Sequence, residues 1–248
     1  MKLQSFLIRI FVLIGVLFIN VFLVYAETEE EYYNRGLDCV KQGDFPQAIS
    51  DFNKAIKINP NLAEVYSSRG TAYAKQGDFP QAISDFNKAI EINPNYADVC
   101  YCRGLAYYNQ GNLDQAISDY TKAIEINPNF VDAYYNRGLA YYKQGIFPQA
   151  ISDYSKVIEM NPKDAVAYDS RGLACLKQED LPQAISDFNK AIEINPNYAE
   201  AYNDRGVYYC ISEEYDKAWA DVHKAEELGK VINPRFLQKL KTDSRRDK

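Results

Sequence analysis

The residues best placed to do chemistry in this sequence are arginines and aspartates at a fixed separation. Arg35, Arg69, Arg103, Arg137, Arg171 and Arg205 each have an aspartate sixteen residues on: Asp51, Asp85, Asp119, Asp153, Asp187 and Asp221. A guanidinium and a carboxylate at close range make a charge-assisted, two-bond pair. The expectation is a structural ion pair, within one unit or to the next, with Arg69–Asp85, Arg103–Asp119 and Arg137–Asp153 in the middle of the series. An anion or a peptide held by the arginines is the functional alternative.

Little else has the spacing of a catalyst. The chain has one histidine, His223. A Ser-His-Asp or Cys-His arrangement would rest on it alone, and no partner pattern surrounds it. Zinc sites built on several histidines are excluded. Neither GxxxxGK[ST] nor GxGxxG occurs, so no phosphate-cradling loop is visible. The expectation is a protein without enzymatic activity, catalytic residues, metal or cofactor.

To meet, an arginine and an aspartate sixteen residues apart need a chain that turns back between them. The sequence supplies it. The stretch from Ala63 to Tyr96, AEVYSSRGTAYAKQGDFPQAISDFNKAIEINPNY, recurs with a period of 34 residues. Counting places from Ala63, place 8 is Gly36, Gly70, Gly104, Gly138, Gly172 and Gly206, and place 20 is Ala in all six copies. A period in this range marks a solenoid or an array. Places 4, 8 and 11 share one face of a first helix. Gly at place 15 suits a helix C-terminus. Asp-Phe-Pro-Gln then reads as an N-cap with Pro in the first turn, and a second helix stops at Asn-Pro. Places 8, 20 and 27 are small where the two helices approach. Rings at places 4 and 24 are expected to fill the rest of the contact. The arginine and the aspartate lie at places 7 and 23, equally far from the turn, so an antiparallel hairpin sets them at one height.

The set Gly70, Tyr73, Ala82, Phe86, Ala89 and Pro94 in this period resembles the tetratricopeptide repeat (TPR) family. The resemblance implies an all-α fold: a right-handed TPR α-solenoid of six helix-turn-helix repeats plus a C-terminal capping helix. The repeats would be 29–62, 63–96, 97–130, 131–164, 165–198 and 199–232. Departures are Cys39 and Cys175 at place 11, Val157 at place 27 and Val222 at place 24. Glu31 and Asp38 stand in the first copy where later copies carry small or apolar residues, so the array is expected to start near Glu29. After residue 232, Phe236, Leu237 and Leu240 lie on one side of a segment opened by Asn233-Pro234. We read residues 233–248 as a capping helix, ending near Lys241, and a basic tail.

In such arrays the first helices line a concave groove, and here its floor is apolar and aromatic. Place 5 gives Tyr101 and Tyr135, place 9 Leu105 and Leu139, and place 12 Tyr108 and Tyr142. Acidic residues at place 2, including Asp98 and Asp132, form one rim, and lysines at place 13, including Lys143, the other. Aromatic anchors with a charged border suit a peptide segment or an amphipathic helix of a partner protein. The alternative is that the tyrosines pack against neighbouring repeats. Family members that clamp the carboxylate tails of heat-shock chaperones carry Lys and Asn at places 5 and 9, Asn at place 6, and Lys and Arg at places 2 and 6. Only Asn34 and Asn136 match, so such tails are not expected to bind.

Composition adds bounds. The net charge is −6. The first 26 residues are basic and residues 230–248 strongly so, which leaves the body between them acidic. That argues against a nucleic-acid surface. Residues 1–26 have the pattern of a secretory signal peptide: Lys2 and Arg9, an apolar run from Ile10 to Val24, and small residues before Glu27. The rival is an uncleaved membrane anchor, though the run is short for a span. The expected location is therefore exported, periplasmic or secreted, with membrane contact only through this segment if it is retained. Of five cysteines, Cys39, Cys100 and Cys175 stand where other copies have tyrosine. They read as small buried apolar residues in preference to a disulfide framework.

Overall fold

The computed structural model describes residues 27–245. The signal segment expected over residues 1–26 lies outside the described residues. Those residues hold thirteen α-helices and no strand, and they fall into two compact units divided after Pro94.

In the first unit, α1 (Glu29–Gln42) pairs with α2 (Phe45–Ile58), and α3 (Ala63–Lys75) with α4 (Phe79–Ile92). In the second, α5 (Ala97–Asn109) pairs with α6 (Leu113–Ile126), α7 (Val131–Lys143) with α8 (Phe147–Met160), α9 (Ala165–Lys177) with α10 (Leu181–Ile194), and α11 (Ala199–Ile211) with α12 (Tyr215–Glu227). A last helix, α13 (Pro234–Ser244), follows. Within the second unit α5 touches α7 and α9 touches α11. Within this unit the first helices α5, α7, α9 and α11 thus lie side by side as a layer.

Local chemistry starts and stops each helix. Asp44, Asp78 and Asp180 accept the backbone N–H three residues on, with Pro in the turn that follows. The turn before them needs a left-handed residue. Gly43, Gly77, Gly111 and Gly145 supply it at φ 80, 82, 81 and 77. In the fifth and sixth repeats the same place is Glu179 and Glu213, at φ 64 and 60.

The hairpin contact is built on a glycine beneath a ring. A Cβ added to Gly104 would lie 2.7 Å from Cε1 of the fully buried Tyr120. The sixth repeat has Val222 in place of the ring. There a Cβ on Gly206 would meet nothing closer than the Ala218 carbonyl at 3.4 Å. The rings at place 4 also pack on this contact, as expected: Tyr32 lies against the cluster of Ala48, Phe52 and Ala55, and Tyr168 against that of Ala191. They are half-buried under the place-7 arginines, as with Arg137 at 5.6 Å from the Tyr134 ring centre and Arg171 at 5.6 Å from Tyr168. Place 4 is one turn from place 7 on the same helix, so the guanidinium covers the ring.

At the end of the second unit, α13 lays Leu240 on Cys210, Trp219 and Val222. It runs to Ser244 rather than stopping near Lys241. Ser244 Oγ accepts from Trp219 Nε1 at 3.1 Å, which holds the last turn in place.

Candidate functional site

Each arginine at place 7 spends two nitrogens on the aspartate of its own hairpin. Arg69 reaches Asp85 through Nε at 2.7 Å and Nη2 at 2.6 Å. Arg103 reaches Asp119 at 2.8 and 2.6 Å, and Arg137 reaches Asp153 at 2.8 and 2.7 Å. The aspartates are buried. The third nitrogen goes to the preceding repeat: Arg137 Nη1 donates to Thr121 Oγ1 at 3.0 Å, Arg171 Nη1 to Ser155 Oγ at 3.0 Å, and Arg205 Nη1 to Asn189 Oδ1 at 2.7 Å. The arginine therefore joins one repeat internally and to its predecessor at once. In the first repeat Asp51 also accepts from Gln47 and Lys54. The Arg35 bond holds its carboxyl well below the usual carboxylate range, against the opposing effect of burial.

The groove residues named from the sequence lie in the second unit, on α5 and α7. Tyr101 and Tyr135 are half-buried and do two things. Their rings rest on the buried rings of the same hairpins, Tyr101 at 5.8 Å from Tyr120 and Tyr135 at 5.7 Å from Tyr154. Their hydroxyls bond to place 6 of the next repeat. The Tyr101 hydroxyl accepts from Asn136 Nδ2 at 3.1 Å, and the Tyr135 hydroxyl shares a 3.2 Å bond with Ser170 Oγ. Burial pushes the Tyr101 phenol up to about 12, with the Asp132 charge adding to it. Leu105 and Leu139 are half-buried beside them. Tyr108 carries the Lys143 ammonium 4.1 Å from its ring centre. Tyr142 meets Phe147 edge-on at 5.5 Å. Asp98 and Asp132 stand exposed in the first turns of α5 and α7. Tyrosines 101 and 135 are thus shared between the layer and the joints between repeats, whereas the Tyr108 ring carries the Lys143 ammonium.

One feature of the next two repeats was missed from the sequence. Where place 5 and the following place 6 are Tyr101 and Asn136, or Tyr135 and Ser170, the fifth junction has Asp169 and Asp204. Asp169 is 4% exposed. Its Oδ2 accepts from the Tyr198 hydroxyl at 3.4 Å, and its Oδ1 is buried without a partner. Burial, then the Asp204 charge, pushes the Asp169 carboxyl up to about 8. Asp204 accepts from Asn203 Nδ2 at 2.7 Å and is itself raised by burial. The signal was available: place 5 of one repeat had only to be read against place 6 of the next.

Among the described residues, no group of three or more His, Cys, Asp or Glu could hold a metal ion, and no helix is long and apolar enough to cross a membrane. The five cysteines are free thiols, with Cys100, Cys175 and Cys210 buried.

Comparison with known proteins places this geometry in a class. A TPR repeat model matches residues 36–77, 70–111, 104–145 and 172–210, and a tetratricopeptide repeat model matches residues 131–164. Together they cover more than half of the chain, which belongs to the tetratricopeptide repeat family and folds as an all-α TPR solenoid. Among solved structures it is similar to the MamA protein at 32% identity and TM-score 0.65, covering 70% of this chain and 95% of that one. It is similar in fold to YrrB, described as a TPR protein with an unusual peptide-binding site, at 23% identity and TM-score 0.62, covering 69% of this chain and 88% of that one. It is also similar in fold to pilF of Pseudomonas aeruginosa, at 18% identity and TM-score 0.70, covering 85% of this chain and 96% of that one. No curated protein matches it in sequence. The repeat scaffold is one that serves protein interaction.

Proposed function

We propose that the chain is a non-enzymatic scaffold that docks a peptide segment or an amphipathic helix of a partner protein on the layer formed by α5 and α7. The observation that carries this is the fixed aromatic surface. Tyr101 and Tyr135 are held at ring and hydroxyl before any ligand arrives, which lowers the ordering cost of binding. Leu105, Leu139, Tyr108 and Tyr142 extend the apolar floor, and Asp98, Asp132 and Lys143 border it. Such an arrangement concentrates binding energy in a few anchors. A cross-linked pull-down identifies the partner. Because Tyr101 and Tyr135 also join repeats, and Tyr142 packs on Phe147 and on the buried cluster of Ala150, Tyr154 and Ala174, the discriminating variant is Tyr108→Ala. Affinity for the partner should fall at least roughly tenfold while helix content and melting hold. Unchanged affinity would remove the groove assignment.

We propose further that the protein works outside the cytoplasm, in the assembly of an envelope or secreted complex, with residues 1–26 as a cleaved signal. The basic start, apolar run and Val24-Tyr25-Ala26 ending support this. N-terminal sequencing of the mature protein should begin at Glu27. An intact Met1 in the membrane fraction would instead make the chain a tethered adaptor.

A further inference from the structure

The carboxylates at the junction of the fifth and sixth repeats have no structural use of the kind seen at three of the other junctions. Tyr33 with Ser68, Tyr101 with Asn136, and Tyr135 with Ser170 each close with one neutral hydrogen bond. Asp169 and Asp204 occupy the same two places, and neither donates when ionised. The result is a buried carboxylate oxygen with no partner, an arrangement that costs free energy unless something supplies a proton or a cation.

The groups around Asp169 do not supply one. From α11, Asp204 and Glu200 add negative charge. From the segment before α11, Tyr198 gives one hydroxyl bond to the other oxygen. Lys230, after α12, is the cation within range, and its ammonium is engaged by Glu200 at 3.3 Å. From α7, Tyr135 is neutral, its phenol raised by burial. The site adjoins the groove described above, since Ser170, next to Asp169 in the chain, bonds the Tyr135 hydroxyl at 3.2 Å. Beside it, Asn203, Val207, Asn233 and Phe236 line a cavity of about 450 Å³, together with Arg235 and Lys239 of α13.

We propose that Asp169 and Asp204 form a subsite for the cationic side chain, lysine or arginine, of the peptide segment bound in the groove. The proposal rests on the groove reading and names the chemistry of its ligand. Asp204 is the less buried of the two, and an ammonium or guanidinium set against it offsets the charge that Asp169 carries once ionised. The adjoining cavity accepts a neighbouring apolar side chain. Binding also has a proton balance. Asp169 is held protonated up to about pH 8 in the free protein, so a cation that needs the carboxylate displaces that proton into solvent. Affinity for a basic peptide therefore rises with pH through neutrality and levels off above it.

The test uses a random peptide library displayed on phage, selected against the purified chain above pH 8. Selected peptides should share a lysine or arginine at one fixed position. Replacing it by norleucine in a synthetic peptide should weaken binding roughly tenfold or more to the natural sequence. The same replacement should change nothing for Asp169→Asn with Asp204→Asn. Calorimetry in buffers of different ionisation enthalpy should show proton release with the basic peptide and none with the norleucine peptide. Peptides recovered without a fixed basic position, or insensitive to norleucine, overturn the subsite and leave the groove standing. Recovery of no binding peptide overturns both.

Discussion

The third and fourth repeats and the fifth and sixth repeats share one framework and differ in what they place on it. In both regions the place-7 arginine grips its own aspartate and reaches back to the preceding repeat, as Arg137 and Arg205 do. In the third and fourth repeats most other local choices agree with that framework, although the buried Tyr120 hydroxyl lacks a partner and α6 and α8 start without a side-chain cap. Glycine takes the left-handed turn at Gly111 and Gly145, a ring covers each hairpin glycine, and neutral hydrogen bonds join place 5 to place 6. In the fifth and sixth, Glu179 and Glu213 take the turn, Val222 replaces a ring, and Asp169 and Asp204 replace the neutral pair. Where local rules are broken on an otherwise regular scaffold, function is the first place to look. The framework is therefore the stabilising part, and the departures mark what this chain adds to it.

The largest expected effect tests whether the framework is common to both regions. Arg137→Met alone leaves the buried Asp153 without its partner and should destabilise by about 3–5 kcal/mol. Adding Asp153→Leu should recover part of that, because no orphaned charge remains. The same pair of variants at Arg205 and Asp221 should give a matching pattern in urea unfolding. If the sixth repeat shows no penalty, the two regions do not share a framework and the comparison fails.

The next effect belongs to the fifth repeat alone. The Asp169 carboxyl is raised to about 8 in the folded chain from its ordinary value near 3.8. Its contribution to stability is thus fully present below the ordinary value and is lost as pH rises through about 8. Asp169→Asn removes that loss. The amide can still accept from Tyr198 and can donate to Asp204. The variant should match the natural chain below about pH 4 and exceed it by on the order of 4 kcal/mol near neutral pH. Tyr135→Phe, at the equivalent place in the fourth repeat, should cost about 1 kcal/mol at every pH in that range. A flat difference for Asp169→Asn across pH would show that the carboxyl is not held protonated.

The two regions were not equally legible from the sequence. Six hairpins with their small interfacial residues, four of them with a turn glycine, could be read because each signal repeats with the period and each acts within one repeat. The capping helix was visible in Phe236, Leu237 and Leu240. What escaped acts between repeats. The arginine's third bond to Thr121 or Ser155, and the pairing of Asp169 with Asp204, depend on how one hairpin leans on the next. Periodicity within a hairpin does not report that offset. Tyr101 and Tyr135 stood between the two cases: their place on the layer was readable, but not that each hydroxyl would be used to join repeats. The place-4 rings were read on the right face, but a helical wheel does not show the long arginine folded over them.

The smallest expected effect concerns the turns, and it separates backbone strain from everything else that distinguishes the regions. Glu179 sits at φ 64, where a side chain crowds its own carbonyl. A non-glycine residue there costs about 1 kcal/mol. Glu179→Gly should relieve this, less the entropy that glycine gains in the unfolded chain, for a net gain of about 0.5 kcal/mol. Gly145→Ala makes the reverse change in the fourth repeat. Gly145 has φ 77, and an added Cβ would meet nothing within 4 Å. Any loss there is therefore due to the backbone alone and should be about 1 kcal/mol. Both are read from the urea midpoint at constant slope. Opposite signs at the two turns would show that the fifth repeat carries strain the fourth avoids. If Glu179→Gly destabilises instead, the Glu179 side chain contributes a favourable contact, and the turn no longer counts among the costs that set the fifth and sixth repeats apart.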